Sequence, residues 1–278
     1  MSNLVSTEWL AQHLDAPDVV ILDASWHLPA AKRDARAEYL SVRIPGARFF
    51  DIDALSDRTS PLPHMLPAPA QFASGVKKLG VGDGKKVICY DSAGLFSAAR
   101  CWWMFKVMGH DDVAVLDGGL PKWQREGRPL EDEMPVTPQE RHFTPRVRAS
   151  MVKGMADVAK ALDGGAAQVA DARSGTRFRG EEQEPRPGVR PGHMPGAKNV
   201  HYASLLRPDG TMKAQKELSE ALTSAGIDLQ KPIITSCGSG VTAAILSLAL
   251  TELGAHDHAL YDGSWTEWGA SSNPVATG

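Results

Sequence analysis

Cysteine is scarce in this chain: there are three in 278 residues, Cys89, Cys101 and Cys237, with no Cys-x-x-Cys spacing. An odd number so widely separated argues against a disulfide framework and against a cysteine zinc site. It fits a reducing compartment, and a cytoplasmic setting is expected. No apolar run approaches the ~18 residues of a membrane span, so no membrane association is expected. The first ten residues contain Glu8 and have neither a basic start nor a long apolar stretch, which predicts no secretory leader. An excess of charge is missing too. Thirty Lys and Arg stand against 33 Asp and Glu, a net charge of −3, so there is no basic field to attract nucleic acid or an anionic surface. What remains, 42% hydrophobic and 23% charged, is the composition of an ordinary globular protein, and the length suits two domains better than one.

The two domains are copies. Ile21-Leu22-Asp23-Ala24 matches Val169-Ala170-Asp171-Ala172, with the aspartates 148 residues apart. Ile44-Pro45-Gly46-Ala47 matches Met194-Pro195-Gly196-Ala197 at a separation of 150, and Leu79-Gly80-Val81 matches Ala225-Gly226-Ile227 at 146. Leu116-Asp117-Gly118-Gly119 with Trp123 matches Tyr261-Asp262-Gly263-Ser264 with Trp268 at 145. Four landmarks in one order with a nearly constant offset indicate a duplication. Between the copies, residues 129–150 carry Pro129, Pro135, Pro138 and Pro145 among charged residues without an apolar period, the composition of a linker. The domains are placed at 1–140 and 150–278.

Within each copy, short β-branched runs alternate with helical patterns. Residues 19–22, 86–90 and 113–116 read as buried strands, with counterparts at 168–170, 232–235 and 258–261. Residues 98–108 and 242–253 read as buried helices, closed by Gly109 and Gly254. The alternation predicts an α/β fold: in each domain a parallel sheet with helices on both faces, and functional loops at the carboxyl ends of the strands. The tryptophans at 102, 103, 123, 265 and 268 read as core and interface packing, Cys89 and Cys101 as core residues, and His193 as a structural turn residue.

One of those strand ends stands out. The run Ile233-Ile234-Thr235-Ser236 empties into Cys237-Gly238-Ser239-Gly240-Val241-Thr242, and a helical pattern follows at once. Glycines let the backbone curl so that its N–H groups face inward, and the following helix adds its free N–H groups. A free cysteine, with a pKa near 8.5, is only ~3% thiolate at neutral pH. Making the thiolate the major form takes roughly 2.7 kcal/mol, and a helix dipole supplies ~0.3–1. Direct N–H hydrogen bonds from the loop must therefore carry most of the activation. In the first copy the aligned position is Asp91, so the nucleophile is present once. The first copy is expected to be silent, with Asp91 capping the next helix and that domain shaping the pocket.

Over essentially its whole length the chain resembles a two-domain rhodanese-family sulfurtransferase, and its cysteine loop is closest to that of the 3-mercaptopyruvate-using branch. Thiosulfate-preferring relatives carry basic residues after the cysteine, and here both following positions are uncharged. The Asp262-Gly263-Ser264-Trp265 stretch also fits the family. The resemblance implies that Cys237 takes sulfur from 3-mercaptopyruvate as a persulfide, releases pyruvate, and passes the sulfur to a thiol or to cyanide. A small-molecule donor and a thiol acceptor, a thioredoxin-like dithiol protein among the options, are the implied partners; no cofactor and no metal are implied. The pattern Thr176-Arg177-Phe178…Pro185-Arg186 matches the two substrate-binding arginines, Arg177 and Arg186, whose planar forks suit a carboxylate and ketone; Arg179 falls one step off it. Gly238, Gly240, Val241 and Thr242 would line the substrate. Asp53 and His64 match an aspartate and histidine that, with Ser239, would form a relay polarising the donor, by the logic of hydrolase triads. Alternatively, the Glu-rich run around 181–184 is a solvated surface and Asp53 and His64 are turn residues.

Other reaction classes fit less well. A thiosulfate sulfurtransferase differs only in donor. A cysteine phosphatase wants an arginine six residues after the nucleophile, where Ala243 stands. A non-catalytic binding module has no use for the retained Cys237. A dinucleotide site at Gly80-Val81-Gly82-Asp83-Gly84 fails because that run precedes a strand instead of joining strand to helix.

Overall fold

Among the described residues ten strands divide equally between two sheets, and all pairings within them are parallel. The computed structural model describes residues 2–278. Unit 1 comprises the chain up to Arg58, Leu66–Arg148 and Pro208–Met212; unit 2 comprises Thr59–Met65, Ala149–Arg207 and Lys213–Gly278. Each unit therefore takes in a short segment from the other's stretch of sequence.

Unit 1 runs β1 (Leu4–Val5), α1 (Thr7–Gln12), β2 (Val19–Asp23), α2 (Ala35–Ser41), β3 (Arg48–Phe49), α3 (Pro69–Lys78), β4 (Lys86–Tyr90), α4 (Ala98–Val107), β5 (Val113–Leu116) and α5 (Gly119–Arg125). Unit 2 repeats it: β6 (Val152–Lys153), α6 (Met155–Gly164), β7 (Gln168–Asp171), α7 (Gly175–Arg179), β8 (Lys198–Asn199), α8 (Gln215–Ser224), β9 (Ile233–Ser236), α9 (Ala243–Glu252), β10 (His258–Tyr261) and α10 (Ser264–Ala270). The sheet orders are β1-β5-β4-β2-β3 and β6-β10-β9-β7-β8, one pattern used twice. The duplication seen in the sequence is thus a duplication of fold.

The central strands explain the apolar runs. β4 and β9 lie between two neighbours and are buried along almost their whole length, which Val, Ile and Cys tolerate and charged residues do not. The helices that follow them are equally buried: all of Ala243 to Leu250 in α9 is out of solvent. Gly109 and Gly254 close these helices in left-handed conformations, φ +82° and +74°. Packing repeats as well. The Trp123 indole donates to the Pro129 carbonyl at 2.7 Å and the Trp268 indole to the Pro274 carbonyl at 2.9 Å, the same bond in each unit. The segment 129–148 has no helix or strand, apart from a bridge between Arg43 and Glu131, as its prolines require.

Candidate active site

β9 ends at Ser236, α9 begins at Ala243, and the intervening loop folds back on its own cysteine. The Gly240 N–H points at Cys237 Sγ, 3.1 Å away. Gly240 achieves this with φ +80°. Cys237 is 2% exposed, so its sulfur meets an oriented amide in place of bulk water. Val241 and Ser239 are buried beside it, and Thr242 occupies the N-cap of α9. Ser239 Oγ lies 3.0 Å from Nδ1 of His64, which belongs to unit 2 through the segment Thr59–Met65. His64 is buried and sits at φ +61°. Holding a non-glycine residue there costs ~1–2 kcal/mol, and such strain collects at functional sites.

The other side of the loop is tied to α10. Cys237 N–H donates to Ser264 Oγ at 3.2 Å, and Trp265 N–H donates to the Cys237 carbonyl at 2.9 Å. The Gly238 carbonyl accepts both the N–H and the hydroxyl of Thr266, at 2.9 and 2.6 Å.

Arg177 reaches the loop from α7, whose N-cap Ser174 accepts the Arg177 N–H. Its guanidinium lies over Gly238: a methyl group on that glycine would stand 3.1 Å from Nη2. The close approach explains the glycine. Glu184, with its side chain 3% exposed, grips Arg177 through Nε and Nη2 and also accepts Arg173 Nη1 at 2.8 Å. Arg173 in turn forks onto Asp171 and lies 4.5 Å over the ring of Trp265. Burial pulls the Arg173 guanidinium downward, but the carboxylates of Asp171 and Glu184 more than offset it and hold it above its ordinary range. Two acids and two arginines thus form a buried, balanced chain ending on the cysteine loop. Arg186 lies partly buried in the loop after α7. Arg179 pairs with Glu181 on the surface.

Unit 1 shows what the same strand end does without a thiol. The Asp91 carboxylate, 1% exposed, accepts N–H groups from Ala93, Phe96, Ser97 and Ala98 at 2.7–2.9 Å. The expected capping role is present, and it is stronger than one N-cap bond. The loop from Asp91 to α4 is one residue longer than the loop from Cys237 to α9. Asp23, the counterpart of Asp171, has Ser25 where unit 2 has Arg173; with no arginine at that position, burial raises its carboxyl to about 6. Asp53 is exposed in unit 1, accepts the Trp26 indole N–H at 3.1 Å, and borders a cavity of about 340 Å³ with Trp26, Arg33 and Asp51.

Glu184, Ser264 and Thr266 were not picked out from the sequence. Glu184 sits in an acidic run that reads as surface. Ser264 had a signal available in its alignment with Gly119. The remaining expectations have simple structural positions. His193 stacks on Phe178 at 3.8 Å and bonds its carbonyl. Cys89 and Cys101 are fully buried with their sulfurs 3.2 Å apart, and burial pushes the Cys101 thiol up. The tryptophans at 102, 103, 123, 265 and 268 are all buried. Among the described residues no group of three or more His, Cys, Asp or Glu side chains is arranged to hold a metal ion, and no helix is long and apolar enough to cross a membrane.

The rhodanese-like domain family matches the chain twice, over residues 6–126 and 155–271. The chain is 47% identical over 270 residues to the 3-mercaptopyruvate sulfurtransferase of Escherichia coli K12, covering 97% of this chain and 95% of that one. It is 43% identical over 277 residues to the human 3-mercaptopyruvate sulfurtransferase, covering 98% and 93%. Among solved structures, that of SseA from Escherichia coli, a 3-mercaptopyruvate sulfotransferase with the rhodanese fold, superposes with a TM-score of 0.88. The two are 45% identical, and the match covers 95% of this chain and 99% of the other.

Proposed function

This chain belongs to the rhodanese family, with two rhodanese-like domains in tandem, and we propose that it is a 3-mercaptopyruvate sulfurtransferase. The observation that carries the reading is the Gly240 N–H aimed at Cys237 Sγ in one copy, against a carboxylate in the matching place of the other. In this reading 1–140 is the silent domain and 150–278 the catalytic one.

The Cys237 thiolate attacks the sulfur of the donor. A sulfur–sulfur bond forms, the carbon–sulfur bond breaks, and its electron pair leaves on carbon as the enolate of pyruvate. The enolate then takes a proton and departs as pyruvate. Arg177 and Arg186 hold the carboxylate and ketone. Ser239, bonded to His64, supplies the hydrogen bond and proton at the enolate oxygen. An acceptor thiolate or cyanide attacks the outer sulfur and regenerates the Cys237 thiolate. Small thiols and thioredoxin-like dithiol proteins fit this step. Three free cysteines accord with a reducing, cytoplasmic setting.

The test is mass spectrometry after incubation with each donor. The expected result is one added sulfur atom on the Cys237 peptide with mercaptopyruvate, far more than with thiosulfate, and none in Cys237→Ser, which should also lose turnover while remaining folded. Retained turnover in that variant would refute the assignment, and preference for thiosulfate would transfer it to the other donor.

A further inference from the structure

Ser264 occupies a backbone position that side chains avoid. Its φ is +49°, and its counterpart in unit 1 is Gly119 at φ +53°, the residue type that tolerates such angles. The copy with the thiol therefore keeps a side chain where the backbone favours none. The Ser264 hydroxyl, fully buried, accepts the Cys237 N–H and donates to the Tyr261 carbonyl at 2.8 Å. Two residues on, Thr266 gives both its N–H and its hydroxyl to the Gly238 carbonyl. The counterpart of Thr266 is Pro121, which has neither group. What the copies share is the middle bond: Trp265 N–H to Cys237 carbonyl in unit 2, and Leu120 N–H to Asp91 carbonyl, at 3.0 Å, in unit 1.

The difference tracks the chemistry. Where the loop carries a fixed carboxylate, Gly119 and Pro121 cannot make the extra bonds. Where it carries the nucleophile, Ser264 and Thr266 make three of them. A trans peptide is planar, with its N–H opposite its C=O. Holding the Cys237 and Gly238 carbonyls on α10 therefore turns the N–H groups of Gly238 and Ser239 away from that helix.

We propose that Ser264 and Thr266 are positioning residues for sulfur transfer: their hydroxyls hold the Ser236–Cys237 and Gly238–Ser239 peptides, on either side of the peptide that Trp265 holds, and so fix where Cys237 Sγ meets the donor. They act through the backbone. The proposal rests on the sulfurtransferase reading above.

Ser264→Gly, Thr266→Val and Thr266→Ser, each in the full chain, test it through steady-state kinetics with mercaptopyruvate, the rate of Cys237 alkylation by iodoacetamide, and thermal melting. Ser264→Gly copies the silent unit, so its melting temperature should equal or exceed the wild type's. Its kcat should fall about tenfold, ~1.4 kcal/mol, with KM within about twofold, and alkylation should slow. Thr266→Val should move the same way by a smaller factor, and Thr266→Ser should recover most of the loss. Wild-type kcat and alkylation in both Ser264→Gly and Thr266→Val would overturn the proposal. So would a loss of kcat that merely follows a lowered melting temperature. If the wild type gains no sulfur on Cys237 from any donor, it is the functional reading that fails.

Discussion

Replacing Asp23 with asparagine should remove a pH dependence built into unit 1. Asp23 is 1% exposed, at the carboxyl end of β2, and accepts both the N–H and the hydroxyl of Ser25. Its counterpart Asp171 pairs with Arg173; Ser25 offers no charge. Burial raises the Asp23 carboxyl from 3.8 to about 6, so the folded protein favours the neutral acid. The sign follows from linkage. A pKa raised by folding contributes stability that is complete below the unfolded value and is lost as pH climbs through the folded one. The full traverse is worth ~3 kcal/mol, of which ~1–2 kcal/mol falls between about pH 5 and pH 8. Asparagine keeps the shape and an acceptor oxygen and cannot ionise. Urea unfolding of both proteins at pH 5 and pH 8, followed by circular dichroism, isolates the effect. Relative to the wild type, Asp23→Asn should be more stable at pH 8 than at pH 5 by that amount. A stability difference that is the same at both pH values would refute the reasoning.

Two more outcomes follow from the geometry. Arg177→Ala removes a forked cation, and charge-assisted bonds of ~1.5–3 kcal/mol predict a KM for mercaptopyruvate raised ~10–100-fold, with a smaller effect on thiosulfate; steady-state kinetics showing equal effects on both donors would count against a carboxylate clamp. Gly119→Ala should destabilise unit 1 by at least ~2 kcal/mol, because φ is +53° and the new methyl would stand 2.5–2.6 Å from the carbonyl oxygens of Gly94 and Asp91. A wild-type melting temperature would contradict it.

How much of this could be read from the residues depends on range. The long strands and buried helices were legible, because burial on both sides leaves unbroken apolar runs, and glycines mark where they stop. The two-residue strands β1, β3, β6 and β8 were not, since two residues carry no period. The cysteine loop was legible as a local pattern, and Asp91 followed from the repeat. Glu184 was hidden because Glu181, Glu182 and Glu184 look alike in sequence; the fold buries one of them between two arginines and leaves the others at the surface. The exchange of Thr59–Met65 and Pro208–Met212 between units has no local signature at all, because nothing in a short polar loop says which core it will join.

Asp91 also bears on how such a loop fails. A cysteine sulfinate spreads one negative charge over two oxygens, as an aspartate does, and it is not readily reduced back. Unit 1 already satisfies that pattern with four amides. Peroxide damage halted at the sulfinate would turn the working loop into a likeness of its inert sister. Two oxygen atoms separate one from the other.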